Sequence, residues 1–359
     1  MGDVLPSFTV ICPTWNRSSA LRSTIDSVLA QEFEDFELII ASDGSTDDTD
    51  AVASEYARFD RRVHVHRSEH YGFQAGPTNE VLATTESRWV AYIDHDDKWS
   101  PHHLSTLRML LLQGADFAAV RATKISLNGA LLSRAHPVSL LWHPVVQVLN
   151  PLFENSCVAH RRDVLQYSGG WRESEIGLED WDLWLRMADA GVRVATTLTS
   201  TAFIVERPDS RQHTLRQCHV HRLAVFDDPR AARSAVRRLT DQRRYAEAMD
   251  ACLADLAACY RRLTDIHELV YPEGWAYSDG VPDVVIRTHL KEAGHRWIPP
   301  LVIPSNEGWT VGLPIAVMTT EHARRYERTF QKEMIRQQKF FSEVLGGQPP
   351  YDESNGVVS

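Results

Sequence analysis

The sequence predicts an α/β protein with a doubly wound, mostly parallel sheet that is flanked by helices. Three apolar runs, Phe8–Cys12, Phe36–Ala41 and Trp89–Ile93, have the composition of strands that are buried on both faces. Between the first two runs, apolar residues over 21–29 recur at helical spacing. Strands that alternate with helices through short links are typical of parallel sheets, in which ligands bind at the carboxyl ends of the strands.

The sequence after the third apolar run predicts further elements and then a change of character. Asn128-Gly129 predicts a hairpin, and the run Glu179–Ala188 predicts a helix that begins with acidic residues. From about Asp227 the sequence has long helical patterns. We therefore predict one domain over residues 1–225 and a mainly helical C-terminal extension over residues 226–359.

The composition is that of a globular protein with an excess of acid. The 359 residues carry a formal net charge of −10, which disfavours nucleic acid as a partner because such proteins bind phosphates through Lys and Arg. Five scattered cysteines form no CxxC pair, and we expect a cytoplasmic protein. We also expect no signal peptide and no integral membrane span, since the apolar stretch 136–153 is interrupted by three prolines.

A cluster of carboxylates follows the third apolar run. Asp94, Asp96 and Asp97 fall within four positions, and like charges at this density favour binding of a cation. Oxygen-only ligands suit Mg²⁺ or Mn²⁺, whose remaining positions can be filled by phosphates. The alternative is a solvated acidic turn that precedes the next helix. Because the polar turns after the three runs are expected to meet at one edge of the sheet, the cluster predicts a metal-diphosphate site.

Four ordered stretches, Pro13–Arg17, Ser42–Asp47, Asp94–Asp97 and Glu179–Trp184, carry a resemblance. In order and spacing they resemble the family 2 glycosyltransferases of the GT-A fold, over roughly residues 5–215. The resemblance implies transfer of a sugar from a UDP- or dTDP-sugar to an acceptor hydroxyl, with inversion and with Mn²⁺ or Mg²⁺ as cofactor.

The same resemblance implies roles for individual residues. Asp180 is expected to be the general base, and Asp96 and His213 to bind the metal. The residues expected to bind the nucleotide and donor sugar are Pro13, Thr14, Trp15, Asn16, Asp43, Asp94 and Glu179. For Asp43 and the Glu179-Asp180 pair, the alternatives are helix-capping and helix-dipole roles; for His213, a solvated side chain. Trp181 and Trp184 are expected either to face a sugar ring or to lie in the core.

One position departs from the family pattern. Relatives often carry an arginine that holds phosphate where this sequence has Thr78. The diphosphate is therefore expected to depend more on the metal.

Partners and competing functions complete the expectations. The partners are a nucleoside diphosphate sugar and a small-molecule or glycan acceptor. The C-terminal helices are expected to form part of the acceptor pocket or a homodimer contact, with packing inside one chain as the alternative. A metal-dependent nucleotidyltransferase and a non-catalytic nucleotide-sugar-binding protein are the competing functions; the first is disfavoured because no Gly-rich, Lys-containing phosphate loop lies near the N-terminus.

Overall fold

A computed structural model describes most of the chain. The described residues are 5–149, 153–173, 178–207, 219–241, 257–276, 281–282, 284–286, 301–316 and 341–349. They belong to two compact units, one formed by residues 1–214 with 269–278 and the other by residues 215–268 with 279–359. The predicted boundary was residue 225, whereas the first unit ends at 214 and regains a short segment later in the chain.

The first unit begins with a parallel half-sheet. Its strands are β1 (Phe8–Thr14), β2 (Phe36–Asp43), β3 (Val63–Ser68) and β4 (Trp89–Tyr92), arranged in the order β3-β2-β1-β4. The connecting helices are α1 (Ser18–Leu29), α2 (Thr49–Phe59) and α3 (Ala75–Thr84). Every residue of β1 and β4 is buried, which explains their continuous apolar runs.

The sheet continues beyond β4 with strands of mixed direction. The order β4-β8-β6-β9-β5 extends it, with β8 antiparallel to its neighbours and β6 parallel to β9. These elements are β5 (Lys98–Trp99), α4 (His103–Leu112), β6 (Phe117–Ile125), β7 (Leu131–Arg134), α5 (Pro144–Leu149), β8 (Val158–Arg161), α6 (Leu165–Ser168), α7 (Glu179–Asp189) and β9 (Val194–Val205). The predicted α/β class is confirmed, and β6 and β7 form the hairpin that Asn128-Gly129 predicts.

A later segment completes the first unit. The backbone of Val270 exchanges hydrogen bonds with that of Trp142, each 2.9 Å long. Three residues further on, Glu273 donates its N–H to Thr196 and accepts one from Leu198. Residues 269–278 therefore supply backbone partners to elements of the first unit.

The second unit contains a small antiparallel sheet as well as helices. The strand β10 (His219–Phe226) pairs with β12 (Gly308–Ala316), which pairs with β11 (Leu301–Ser305). Helix α8 (Pro229–Asp241) packs against this sheet. The core of the unit comprises Leu223, Ala224, Phe226, Ala232, Ala235, Val311, Phe341 and Leu345. The sheet was not anticipated in a region that we predicted to be mainly helical, and residues 242–256 of that region lie outside the described residues.

The length and hydropathy of the helices show whether any of them could span a membrane. Within the described residues, no helix combines the length and the apolar character needed to cross a bilayer.

Candidate active site

The carboxyl ends of β1, β2 and β4 lie side by side. Thr14 is in register with Ser42 in the parallel pair β1–β2, and Ile11 is in register with Tyr92 in β1–β4. The turns that follow these strands consequently meet in one crevice, as the sequence predicts.

Asn16 ties the first turn to the second. It has a positive φ of 48°, and its side-chain oxygen accepts the backbone N–H groups of Thr46 (2.8 Å) and Asp47 (3.3 Å). Its own backbone N–H donates to the hydroxyl of Ser45. Asparagine tolerates the left-handed conformation because its short amide can bond to nearby backbone. Asn16 therefore fixes the shape of the crevice wall.

Asp43 lies at the end of β2 and is 4% exposed. Its two carboxylate oxygens accept the backbone N–H groups of Tyr71 (2.6 Å) and Gly72 (2.9 Å). A carboxylate has about four acceptor positions, so Asp43 can still accept one bond from a ligand. The adjacent Gly44 has φ +62°, and a Cβ there would lie 2.9 Å from the backbone nitrogen of His70. The loop thus passes close enough to β2 to hold Asp43 in place.

An aromatic pair flanks Asp43. The rings of Trp15 and His70 are stacked, with centroids 5.0 Å apart and planes at 23°. Trp15 is 47% exposed, and the ring of His70 lies within 3.2 Å of an Asp43 oxygen. An exposed, ordered indole beside a hydrogen-bond acceptor is suited to stacking and recognition of a base.

The carboxylate cluster after β4 is partly built into the protein. Ser156 accepts the backbone N–H of Asp94 (2.9 Å) and donates to the carboxylate of Asp97 (2.6 Å). The other oxygen of Asp97 accepts the N–H of Val205 at the end of β9 (2.9 Å). Burial, followed by the charge of Asp94, raises the pKa of Asp97 well above its usual range. Asp97 therefore connects the turn after β4 to Ser156 and to the end of β9. The sequence suggested a smaller role, in which Asp97 only orients the following turn.

Asp94 and Asp96 have different surroundings. The side-chain amide of Asn155 donates to Asp94 (3.0 Å), while Asp96 forms an ion pair with Arg207 (Oδ2 to Nε, 3.6 Å). Burial raises the pKa of Asp94, and the charge of Asp96 raises it further. Neighbouring His95 accepts a hydrogen bond from Arg17 at 3.1 Å. The cluster is thus crowded with negative charge and flanked by arginine.

These groups fit a hard divalent cation. Asp94 and Asp96 supply carboxylate oxygens, and Asn155 adds a buried amide oxygen that accepts no hydrogen bond from the described residues. A cation would also relieve the repulsion between the two carboxylates. In the described part of the chain, no three carboxylate, imidazole or thiol side chains converge as a ready-made metal cluster. The predicted ligand His213 lies outside the described residues.

Asp180 sits in the first turn of α7. One of its carboxylate oxygens accepts the backbone N–H of Trp181 at 2.7 Å. Burial raises the pKa of Asp180 to about 8, the charge of Glu179 contributes, and Asp94 acts in the same direction. The ring of Trp184 in α7 lies 6.2 Å from that of Tyr92, the last residue of β4, so α7 packs against this end of the sheet. A carboxyl with a pKa near neutrality is suited to proton transfer.

The other residues at the start of α7 are buried. Glu179 is 0% exposed, and Trp181 and Trp184 are 2% and 1% exposed. The indole N–H of Trp181 donates to the carbonyl of Gln147 (2.9 Å), and Trp184 packs edge-on against Phe117. The two tryptophans therefore belong to the core, which was one of the two expectations for them.

The remaining predicted residues line the same crevice floor. Pro13 and Thr14 are buried at the end of β1, where the carbonyl of Pro13 bonds to the ring of His95 at 3.2 Å. Thr78, which replaces the family arginine, is fully buried, and its hydroxyl has no hydrogen-bond partner among the described residues.

Sequence reasoning missed Asn155, Ser156 and Arg207. The first two follow no recognisable motif and reach the cluster through β8, which is distant in sequence. Arg207 was noted only as part of a polar loop. The sequence signal that could have identified Arg207 is its position two residues after the end of a predicted strand.

The chain is similar in sequence to known glycosyltransferases. Residues 9–161 match the family model described as Glycosyl transferase family 2. A Campylobacter jejuni GalNAc(5)-diNAcBac-PP-undecaprenol beta-1,3-glucosyltransferase is 33% identical over 113 residues, which is 31% of this chain and 36% of that protein. The Escherichia coli UDP-Glc:alpha-D-GlcNAc-diphosphoundecaprenol beta-1,3-glucosyltransferase WfgD is 30% identical over 113 residues, which is 32% of this chain and 43% of that protein. The chain thus spans less than half the length of these two curated relatives.

Solved structures give a partial likeness. S. aureus TarS 1–349 in complex with UDP-GlcNAc aligns with a TM-score of 0.48 and 19% identity, over 59% of this chain and 62% of that one. The Pyrobaculum calidifontis mannosyltransferase PcManGT, in complex with GDP-Man and Mn²⁺, aligns with a TM-score of 0.46 and 14% identity, over 96% of this chain and 85% of that one.

The predicted family resemblance is confirmed by the family model and by these sequence relatives. The matched segment contains the turns after β1, β2 and β4, and it ends at the last residue of β8. Residues 9–161 of the chain are thus similar to glycosyl transferase family 2.

Proposed function

We propose that this protein is a metal-dependent, inverting glycosyltransferase that moves a sugar from a UDP- or dTDP-sugar to an acceptor hydroxyl. The observation that carries the proposal is the position of Asp180 in the first turn of α7, a helix that packs against the end of β4 through Trp184 and Tyr92, whose ring centroids are 6.2 Å apart. The carboxyl of Asp180, with a pKa of about 8, is thereby placed toward the acidic end of β4. Asp180 can therefore act as a base beside the donor site.

The nucleoside would bind where Asp43 and Trp15 lie. The exposed indole of Trp15 offers a stacking surface, and Asp43 accepts the N3–H group that uracil and thymine both present. The N–H bonds from Tyr71 and Gly72 keep the Asp43 carboxylate oriented before the ligand arrives. A UDP-sugar is favoured by the similarity to the E. coli relative WfgD, a UDP-Glc-dependent glucosyltransferase.

The diphosphate would lie between Asp96 and Arg207. The guanidinium of Arg207 pairs with Asp96, and guanidinium groups bind phosphate oxygens through paired N–H donors. The position of Arg207 depends on Asp97, which accepts the N–H of Val205 two residues earlier. Among the described residues, Arg207 is thus the cation best placed to bind the diphosphate. Thr78 cannot do so because it lacks the positive charge of the family arginine. When Mn²⁺ or Mg²⁺ is bound by Asp94 and Asp96, it supplies Lewis-acid stabilisation of the leaving diphosphate.

The transfer step is assigned to Asp180. In its ionised form, Asp180 accepts the proton of the acceptor hydroxyl while that oxygen attacks the anomeric carbon. The bond from the anomeric carbon to the diphosphate oxygen breaks on the opposite face, so the configuration inverts. Burial, together with the charge of Glu179, keeps the pKa of Asp180 high, which makes Asp180 a stronger base once it has lost its proton.

The decisive experiment separates transfer from the competing nucleotidyl reaction. The purified protein is incubated with a panel of UDP- and dTDP-sugars, Mn²⁺ and candidate acceptors, and the products are separated by chromatography. Release of nucleoside diphosphate, loss of activity in EDTA and its recovery on adding Mn²⁺ are expected, with an inverted anomeric centre by NMR. Release of pyrophosphate would instead identify a nucleotidyltransferase.

A further inference from the structure

A second cavity lies at the opposite edge of the sheet from the crevice. It has a volume of about 220 Å³ and is lined by Ser87, Arg88, Arg161, Arg162, Asp163 and Gln166. We propose that it binds a phosphate-type oxyanion, and we call it the arginine cavity. The proposal rests on this cavity alone and does not require the glycosyl transfer proposed above.

Strand pairing brings the arginines together. β4 and β8 are antiparallel, and Trp89 is in register with Arg161. The backbone N–H of Arg162 donates to the carbonyl of Arg88 at 3.1 Å, so these two residues are adjacent although they are far apart in sequence. The sheet therefore holds the backbones of the arginines in fixed positions.

Two of the three guanidiniums have no carboxylate partner among the described residues. Arg88 lies over the ring of Trp89, 4.6 Å from its centroid, and this is a contact that leaves the N–H groups available. Arg162 donates one N–H to the carbonyl of Leu82 (3.1 Å), and its buried Nε has no hydrogen-bond partner in the described structure. A desolvated, uncompensated charge of this kind favours binding of an anion.

The third arginine is already neutralised. Arg161 pairs with Asp163 and lies 3.8 Å from Asp116, which itself pairs with Arg193 at 3.0 Å. Counting the lining residues, three arginines face one aspartate, so the cavity is positive in a chain whose net charge is −10. A local accumulation of positive charge raises the concentration of anions at the cavity even on an acidic protein.

A phosphate group matches the donors present. Guanidinium groups present forked N–H pairs that fit the oxygens of a phosphate, and the amide of Gln166 at the rim adds a neutral donor. The cavity is separated from the crevice by the length of β4, six residues from Arg88 to Asp94, or about 20 Å for an extended strand. One phosphate therefore cannot occupy both sites.

The test is a binding titration with inorganic phosphate in the presence of EDTA, followed by calorimetry or by ³¹P NMR. The full-length protein is compared with Arg88→Gln and Arg162→Gln, and with Arg58→Gln as the control that removes an exposed arginine of α2. Arg88→Gln and Arg162→Gln are each expected to weaken phosphate binding by at least about tenfold, while Arg58→Gln leaves it unchanged.

Equal affinity in all four proteins, or no phosphate binding by the wild type, would overturn the proposal. Arg88 is exposed, so its variant is informative even where Arg162→Gln fails to fold by circular dichroism. Cosedimentation with phosphatidic acid vesicles, lost in Arg88→Gln, would assign the phosphate to a lipid headgroup. Phosphate binding without cosedimentation would assign it to a free phosphorylated molecule, and both outcomes support the site.

Discussion

The two ends of β4 and β8 differ in charge and in solvent exposure. At one end, Asp94 and Asp97 share the hydroxyl of Ser156 and are held in a crevice where burial raises their pKa values. At the other end, Arg88 and Arg162 border a cavity. The same pair of strands thus separates an acidic site that suits a cation from a basic site that suits an anion. The contrast shows that net charge says little about which ligands a protein can bind locally.

The largest expected effect is at Asp180. Replacing Asp180 with Asn removes the proposed base and keeps the shape, so turnover is expected to fall by about 10²–10⁴-fold while donor affinity changes little. Steady-state rates and nucleoside diphosphate binding measure the two effects. Asp189→Asn, at the exposed end of the same helix, is the control. A variant Asp180→Asn with most of its turnover would place the chemistry elsewhere.

The second largest effect concerns the free energy of unfolding. It compares Asp97, a buried aspartate at the acidic end of β4 and β8, with Asp163, an exposed aspartate at the basic end. Asp97 is 3% exposed and accepts hydrogen bonds from Val205 and Ser156, so Asp97→Ala is expected to lower the free energy of unfolding by about 2–3 kcal/mol. Asp163→Ala, at a side chain that is 46% exposed, is expected to cost about 1 kcal/mol or less. Urea denaturation measures both.

Asp97→Asn provides the matched comparison, because the amide oxygen can still accept the N–H of Val205. It is expected to recover most of the stability that Asp97→Ala loses. Equal losses at Asp97 and Asp163 would remove the distinction between the two ends.

The pH dependence of activity sharpens the role of the acidic end. A base must be ionised, and burial raises the pKa of Asp180 to about 8, so it is mostly protonated at neutral pH. We expect kcat/KM to rise by about tenfold per pH unit below that pKa and to level off above it. A bound divalent cation would lower the midpoint. A rate that is constant or falls between roughly pH 6 and 8 would contradict Asp180 as the titrating base.

The smallest expected effect concerns the base-stacking surface. Trp15→Ala is expected to weaken nucleoside diphosphate binding by about five- to tenfold, because stacking on a half-exposed ring lies at the lower end of the range of about 1–3 kcal/mol per base. Trp15→Phe should recover part of the loss. The control is Phe59→Ala, which removes an 86% exposed ring at the end of α2. Fluorescence titration with UDP would give the affinities, and identical values for Trp15→Ala and Phe59→Ala would exclude Trp15 from the site.

Sequence alone predicted the acidic end of the sheet well. Asp43, Asp94 and Asp96 each follow a strand that is recognisable from a continuous apolar run, and parallel packing requires such strand ends to meet. Ser156 and Arg207 could not be predicted because they reach the cluster through β8 and β9, whose register follows from tertiary packing.

The basic end was missed for the same reason. Nothing in the sequence near Arg88 indicates that Arg162 lies beside it, because antiparallel pairing of β4 and β8 creates that proximity. The small sheet of the second unit was missed for a different reason: β11 and β12 contain Pro304 and Pro314, and proline within a run argues against a strand. Local patterns thus describe elements better than the contacts that long-range pairing generates.

The return of residues 269–278 to the first unit affects how the protein is made. Until a ribosome has added Val270 and Glu273, the backbone groups of Trp142, Thr196 and Leu198 that they bind have no such partners. The nascent first unit therefore stays incomplete while the intervening residues 215–268 are synthesised. A gene fragment that stops at residue 225 would encode the first unit without residues 269–278. Expression of the isolated first unit should therefore supply residues 269–278, either as a separate peptide or through a shortened linker.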